Sequence, residues 1–246
     1  VNVVHEFIPH ARQKDIKAEA LVDSAMGIIA KEGLEGLTLA RVAKEHGLVT
    51  TAVYRYFASK DALLSALHRR AIHTVHQQFR SDLQRWDERS KRMSDDTRAL
   101  AKIIATARFY VSLPETMPDA FRLFALMLAD PRPLVDDESA IASIPVVAGF
   151  IGDASALFVE AERVKAIEPG MQFARTAMFW ATLHGLTQLA KLRRLAPEAP
   201  TPLSVADQAT LTLLRGMGAT DVGIRRAIRA VDKLTEASAS RATAST

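Results

Sequence analysis

An all-α fold is predicted for this 246-residue chain, and three observations predict it. Apolar residues recur at three- and four-residue spacing through nearly every segment, whereas strand-length alternation of Val, Ile and Thr is almost absent. Helix-forming residues abound within those segments. Gly33, Gly47, Pro114, Pro118 and the proline run in residues 196–202 fall between them, where helices stop.

The elements follow in order. A first helix is expected over residues 12–31, with Leu21, Ala25, Ile28 and Ile29 on one face and Gly33 after its end. Thr38 is the expected N-cap of a second helix over 39–46, closed by Gly47. Arg41 stands where a capping box needs Glu or Gln, so no box forms. A short third helix is expected over 50–57. A long fourth one starts at Lys60 behind Ser59 as its cap and runs to about residue 86.

Further helices are expected over 97–113, 120–128, 146–167, 171–195 and 203–214. Residues 130–138 read as a Pro-rich acidic loop. Ile224, Ile228 and Val231 share a face in the tail, so a further helix fits there, while the last ten residues read as disordered.

Composition sets outer limits. Apolar residues make up 48% and charged residues 24%, as in ordinary globular proteins. No cysteine is present, which excludes disulfides and thiolate chemistry and fits a reducing compartment. The first residues lack the basic-then-apolar form of a leader, and the apolar stretch 141–152 is short and interrupted by Pro145. A cytoplasmic protein that does not enter a membrane is therefore expected. Residues 12–70 carry a surplus of three positive charges, whereas residues 71–220 hold seventeen of each sign. A basic head suits an anionic partner.

The stretch TTAVYRYFASK, residues 50–60, is the most informative. At about 100° per residue, Val53 and Phe57 share one side of the short helix. Thr51, Ala52 and Arg55 lie opposite, with Tyr54 and Tyr56 on the flanks. So short a helix is unstable alone, so its apolar side must be held by the rest of the head. The alternative for the three outward residues Tyr54, Arg55 and Tyr56 is a plain solvated surface. A helix, a tight turn at residues 47–49 and a second helix with such a front form a helix-turn-helix. Arginine reads guanine bidentately, and Thr and Ala methyls suit the thymine methyl. Lys60 falls in the first turn of the fourth helix, a position that favours phosphate.

Residues 37–64, LTLARVAKEHGLVTTAVYRYFASKDALL, resemble the DNA-binding head of the TetR (tetracycline repressor) family. Thr38, Val42-Ala43, Gly47, Val53-Tyr54, Phe57, Lys60 and Leu63 carry the resemblance. By that resemblance Thr38, Thr50, Thr51, Tyr54, Arg55, Tyr56 and Lys60 occupy DNA-contacting positions. Ala52 joins them from its place on the outward face. Two departures are present. Val49 stands where a capping Ser or Thr is usual, which moves the expected cap to Thr50, and Tyr56 stands where histidine is frequent.

The resemblance implies a homodimer on a palindromic double-stranded DNA operator, released by a small effector, with repression the family's usual mode. It divides the chain into a DNA-binding domain (12–68), an effector-binding and dimerisation domain (69–220) and a basic, partly disordered tail (221–246). It also places the dimer contact on the last two helices of the middle, where Phe179, Leu183, Leu186 and Ala190 form one stripe and Leu211 and Leu214 another. An intramolecular core is the alternative for the first stripe. FWATLHGLTQL, residues 179–189, is also similar to a motif in one subclass of the family's C-terminal domains.

Small-molecule sites are mostly apolar with a few convergent polar groups. The candidates for an apolar effector are Phe109, Phe124, Phe150, Phe158 and Trp180, with Arg108, Arg122 and His184 as polar groups. Ordinary core, or ion pairs for the two arginines, is the alternative.

No catalytic residue, cofactor or metal is expected. No G-x-S-x-G elbow and no Gly-rich phosphate loop occurs, and His73 and His76, three apart, are weak grounds for a metal. Two other functions stay open: a DNA-binding regulator without an effector, and a helical protein-interaction module.

Overall fold

The computed structural model describes residues 10–129, 137–189, 196 and 198–243. These residues form helices joined by turns, with no strand among them, as the periodicity predicts. The chain divides into two compact units. The first comprises residues 1–74 with 119–146, and the second residues 75–118 with 147–246.

The first unit contains α1 (His10–Glu32), a single 3-10 turn (Leu34–Gly36), α2 (Leu39–Glu45), α3 (Thr50–Val53) and the first half of α4 (Lys60–Arg89). Leu21, Ala25, Ile28 and Ile29 of α1 are buried with Leu37, Val42, Val53, Leu63 and Leu67. Local chemistry fixes the breaks. Gly33 (φ 76°) and Gly47 (φ 63°) occupy the left-handed region, which costs glycine nothing. Thr38 Oγ1 accepts from the Arg41 N–H (3.0 Å) and Ser59 Oγ from the Ala62 N–H (3.0 Å), so both expected caps form. His46 Nε2 donates to the Ala20 carbonyl (3.2 Å) and ties the end of α2 to α1. Arg70 of α4 pairs with Glu19 and Asp23 of α1.

This unit also takes in α6 (Pro118–Ala129) from Asp119 onward, α7 (Asp137–Ile141) and the first residues of α8 (Ile144–Arg163). Residues 137–141 form a short helix whose first two residues fall in the loop expected over 130–138. The rest of that expected loop, residues 130–136, lies outside the described residues.

The second unit is built around α5 (Asp95–Thr116), against which α9 (Gln172–Leu189), α10 (Pro202–Gly216) and α11 (Asp221–Thr243) pack. Thr201 caps α10, its Oγ1 accepting from the Ser204 N–H (3.1 Å). Arg108 of α5 binds three helices together. Its Nε and Nη2 donate to the two oxygens of Asp207 on α10 (2.9 Å each), and its Nη1 to Asp232 on α11 (2.7 Å).

Several boundaries differ from expectation for stated reasons. Pro114 lies inside α5, in its last turn, where it forgoes the bond to the Tyr110 carbonyl and only two residues of helix follow it. Pro145 is the second residue of α8 rather than a break, because a missing N–H costs nothing in a first turn. Among the described residues α8 is long and apolar enough to cross a membrane by length and composition. It carries Asp153, whose carboxylate meets His76 Nε2 (2.7 Å), and it buries Leu157, Phe158 and Ala161 in the second unit. Residues 237–243 of the tail are helical rather than unstructured, and residues 244–246 lie outside the described residues. Ile224, Ala227 and Val231 are buried along one face of α11, and alanine-rich sequence extends the helix beyond them.

Candidate nucleic-acid interface

The helix-turn-helix comprises α2, the turn at Gly47 and α3. The Leu48 N–H donates to the Ala43 carbonyl (2.9 Å), closing α2 tightly enough to bring α3 against it. Val53 (0% exposed) and Phe57 (7%) are buried behind α3. Thr51, Tyr54 and Arg55 are exposed in front, with Thr50, Ala52 and Tyr56 half-buried beside them. Thr38 and Lys60 are exposed at the starts of α2 and α4. Five of the eight candidate side chains are thus exposed and three are half-buried.

Two details differ. Regular helix ends at Val53, and Tyr54 to Tyr56 form a turn, so Arg55 projects from the end of α3 and not from its middle. The N-cap of α3 is Val49, with no side-chain cap, so the cap does not shift to Thr50. Thr50 is the first helical residue, where its side chain no longer reaches back to the free N–H groups. Val49 is 71% exposed and Leu48 40% exposed, an apolar pair at the tip of the motif that amphipathic reasoning passes over. The exposed apolar residue at a cap position was the available signal.

The effector candidates fall in both units. Arg122 and Phe124 belong to the first unit, the other six to the second. Arg122 is exposed, and Phe124 is core beside Phe121, ring centroids 6.3 Å apart. Arg108 is committed to Asp207 and Asp232 and is a structural clasp, the ion-pair alternative. Phe158 is 1% exposed and packs edge-on against Phe179 at 5.4 Å, so both are core. Phe109 and Phe150 each lie beside Phe79, at 5.8 and 5.6 Å.

Trp180 and His184 do come together. Trp180 Nε1 donates to the Tyr110 hydroxyl (3.1 Å), which lies 3.0 Å from His184 Nδ1, and the indole and imidazole stack at 5.5 Å. Burial pushes the Tyr110 hydroxyl well above its usual range and holds the His184 imidazole below its own. The cluster is thus neutral near pH 7. With its oxygen accepting from Trp180, the hydroxyl has its proton to give to Nδ1, which fixes the histidine tautomer.

The expected dimer stripe is corrected in the same way. Phe179 (4% exposed), Leu183 (2%) and Leu214 (1%) are core of the second unit, and Leu186 and Leu211 are half-buried. Ala190 lies outside the described residues. The outward face of α9 carries Met178, Ala181, Gly185 and Leu189, preceded by exposed Met171 and Phe173. A helix apolar on nearly every side gives no moment by which to choose the inward stripe.

In the first unit, His68 of α4 is 7% exposed and neither ring nitrogen has a hydrogen-bond partner. Burial, with Arg69 adjacent, lowers its pKa to about 4.

The family model of the bacterial regulatory proteins, tetR family, matches residues 21–67, the segment that holds this motif. The head of the chain, residues 21–67, is thus of the TetR-family type. Its sequence is 31% identical over 110 residues to the HTH-type transcriptional regulator BetI of Burkholderia lata, covering 40% of this chain and 55% of that protein. The chain spans about half the length of the curated TetR-family relatives it matches. Solved structures share the fold over more of its length. A protein of unknown function from Rhodococcus sp. RHA1 aligns with a TM-score of 0.62 at 22% identity, over 88% of this chain and 99% of its own. RolR in complex with resorcinol aligns with a TM-score of 0.61 at 15% identity, over 89% and 96%.

Proposed function

We propose that this chain, with its TetR-family head, works in the cytoplasm as a homodimeric, non-enzymatic transcriptional repressor, released from a palindromic operator by a small, mainly apolar effector. The observation that carries the reading is the orientation of α3. Val53 and Phe57 are buried behind it, and Thr51, Tyr54 and Arg55 are exposed together in front. Thr50, Thr51 and Ala52 offer hydroxyls and methyls to base edges. Arg55 supplies a guanine contact, and Thr38, Tyr54, Tyr56 and Lys60 hold phosphates. Val49 adds an apolar contact of the kind a thymine methyl accepts.

One head covers only a few base pairs, so two are needed, about 34–36 Å apart. The exposed face of α9 supports the pairing: Met178 and Leu189 are each more than half exposed, and Ala181 and Gly185 permit close helix approach. Effector release is supported by the resorcinol complex of RolR and by the Tyr110–Trp180–His184 cluster, polar groups set in apolar surroundings. α4 runs unbroken from Lys60 to Arg89, and its residues belong to both units, so it is the element through which a ligand would alter the heads.

A mobility shift on the DNA flanking the chain's own gene tests this at several salt concentrations. Wild-type protein is expected to bind with steep salt dependence, and Lys60→Ala to reduce the slope by about one. Arg55→Ala is expected to weaken binding by about 1–3 kcal/mol. Binding unaffected by Arg55→Ala, or independent of salt, rejects the DNA reading and favours the protein-interaction module. Sedimentation of Gly185→Glu tests the pairing: a dimer as tight as wild type removes α9 from it.

A further inference from the structure

The outward face of α11 carries charge of one sign. Arg225, Arg226, Arg229 and Lys233 fall within an arc of about 100° around the helix. Ile224, Ala227 and Val231 lie on the opposite side and are buried where α11 packs on α5. All four cations are exposed, and none of their side chains makes an ion pair or a hydrogen bond among the described residues.

The acids of the same helix do not offset them. Asp221 accepts from Arg215 Nε (2.8 Å) and Asp232 from Arg108 Nη1 (2.7 Å), so both carboxylates are held by arginines of other helices. The fields of Arg225 and Arg226 reach Asp221 and Asp96, each beyond ion-pair distance. Glu236, one turn beyond Lys233, ends the row. A merely solvated helix face interleaves the two signs, as Lys14, Asp15, Lys17 and Glu19 do on α1. On α11, Arg225 and Arg229, then Arg229 and Lys233, stand four apart with like charge, a spacing at which they repel and weaken the helix. A polyanion laid along the row would relieve that repulsion.

The kind of polyanion follows from the rest of the helix. A helix that lies in a membrane surface buries an apolar face in the lipid, and the apolar face of α11 is already in the core. Three of the four cations are arginines, whose planar guanidinium donates bidentately to phosphate. The row rises about 12 Å along the helix. Duplex DNA carries one negative charge per about 1.7 Å of its axis, so a duplex along α11 meets all four cations at once. We propose that this face of α11 is a second DNA-binding surface, which holds the phosphate backbone of double-stranded DNA without reading its sequence. The choice of DNA among polyanions rests on the reading of the head as a DNA-binding motif. The surface itself lies in the second unit and shares no residue with that motif.

Mobility shifts of the full chain on a duplex of random sequence, over a range of salt, test it. Replacing Arg225, Arg226 and Arg229 together by Gln is expected to reduce the salt slope by about three. A charge-matched control replaces Lys91, Arg92 and Lys165 by Gln, exposed cations elsewhere in the second unit, and is expected to change the slope by less than one. Thermal melts establish folding, and if the α11 triple variant fails to fold, Arg229→Glu decides, with an expected reduction of at least one. Wild type that binds the random duplex without salt dependence, or not at all, overturns the proposal. So does an unchanged slope in the folded α11 variant, or an equal loss in the control, which assigns the effect to net charge. Loss of binding to phosphatidylserine vesicles with an unchanged DNA slope also overturns it and makes the partner a membrane. The helix-turn-helix reading registers separately, through Arg55→Ala on the DNA flanking the chain's own gene, so either reading can fail alone.

Discussion

The short helix α3 and the long helix α9 pose the same question and differ in how readily it is answered. Each must turn one face inward. In α3 and the turn after it, Val53 and Phe57 are the two aliphatic or phenyl side chains larger than a methyl, among threonines, tyrosines and an arginine, so one orientation buries both. In α9, Phe179 and Leu183 compete with Met178, Leu186 and Leu189, and any of several rotations buries a comparable area. The structure turns Phe179 and Leu183 inward and leaves Met178 and Leu189 outside. Orientation is legible where apolar residues are scarce, and ambiguous where they are plentiful.

The sharpest way to break this comparison is in the head. Phe57→Ala removes a buried ring from behind a helix that cannot stand alone, and is expected to cost about 3–5 kcal/mol. Chemical denaturation measures it, and a loss under 1 kcal/mol would mean that Phe57 does not hold α3. The matching test in α9 compares two leucines. Leu183→Ala is expected to cost about 2–5 kcal/mol, whereas Leu189→Ala is expected to change the stability of a single chain by no more than about 0.5 kcal/mol. Similar losses from both would show that α9 is rotated from the orientation described.

A third test concerns α4 and uses pH. The folded pKa of His68, about 4, lies below that of an unfolded histidine, about 6.5, so folding favours the neutral ring. The stability that depends on this is complete above pH 6.5 and declines as pH falls toward 4, by up to about 3 kcal/mol. His68→Leu, which cannot be protonated, is expected to flatten the decline between pH 6.5 and 4. An unchanged slope would place the acid sensitivity elsewhere. The smallest effect belongs to the cap: Thr38→Ala is expected to cost about 1 kcal/mol by freeing the Arg41 N–H, read from the melting midpoint.

The all-α class and the helix-turn-helix were legible because local chemistry states them. Thr38 and Ser59 are caps, Gly33 and Gly47 take left-handed conformations, and Val53 and Phe57 have one place to go. What was not legible depends on partners far along the chain. Arg108 reads equally well as a ligand's counter-charge until Asp207 and Asp232, 99 and 124 residues away, are placed beside it. Pro114 and Pro145 misled for a simpler reason: a proline's effect depends on which turn of the helix it occupies.

The Arg108 clasp constrains how the second unit can move. A single planar cation serves two acids on different helices, so α10 and α11 share one pin on α5, and sliding either helix by a full turn would strand a carboxylate beside apolar neighbours. Those three helices should therefore travel together as a block.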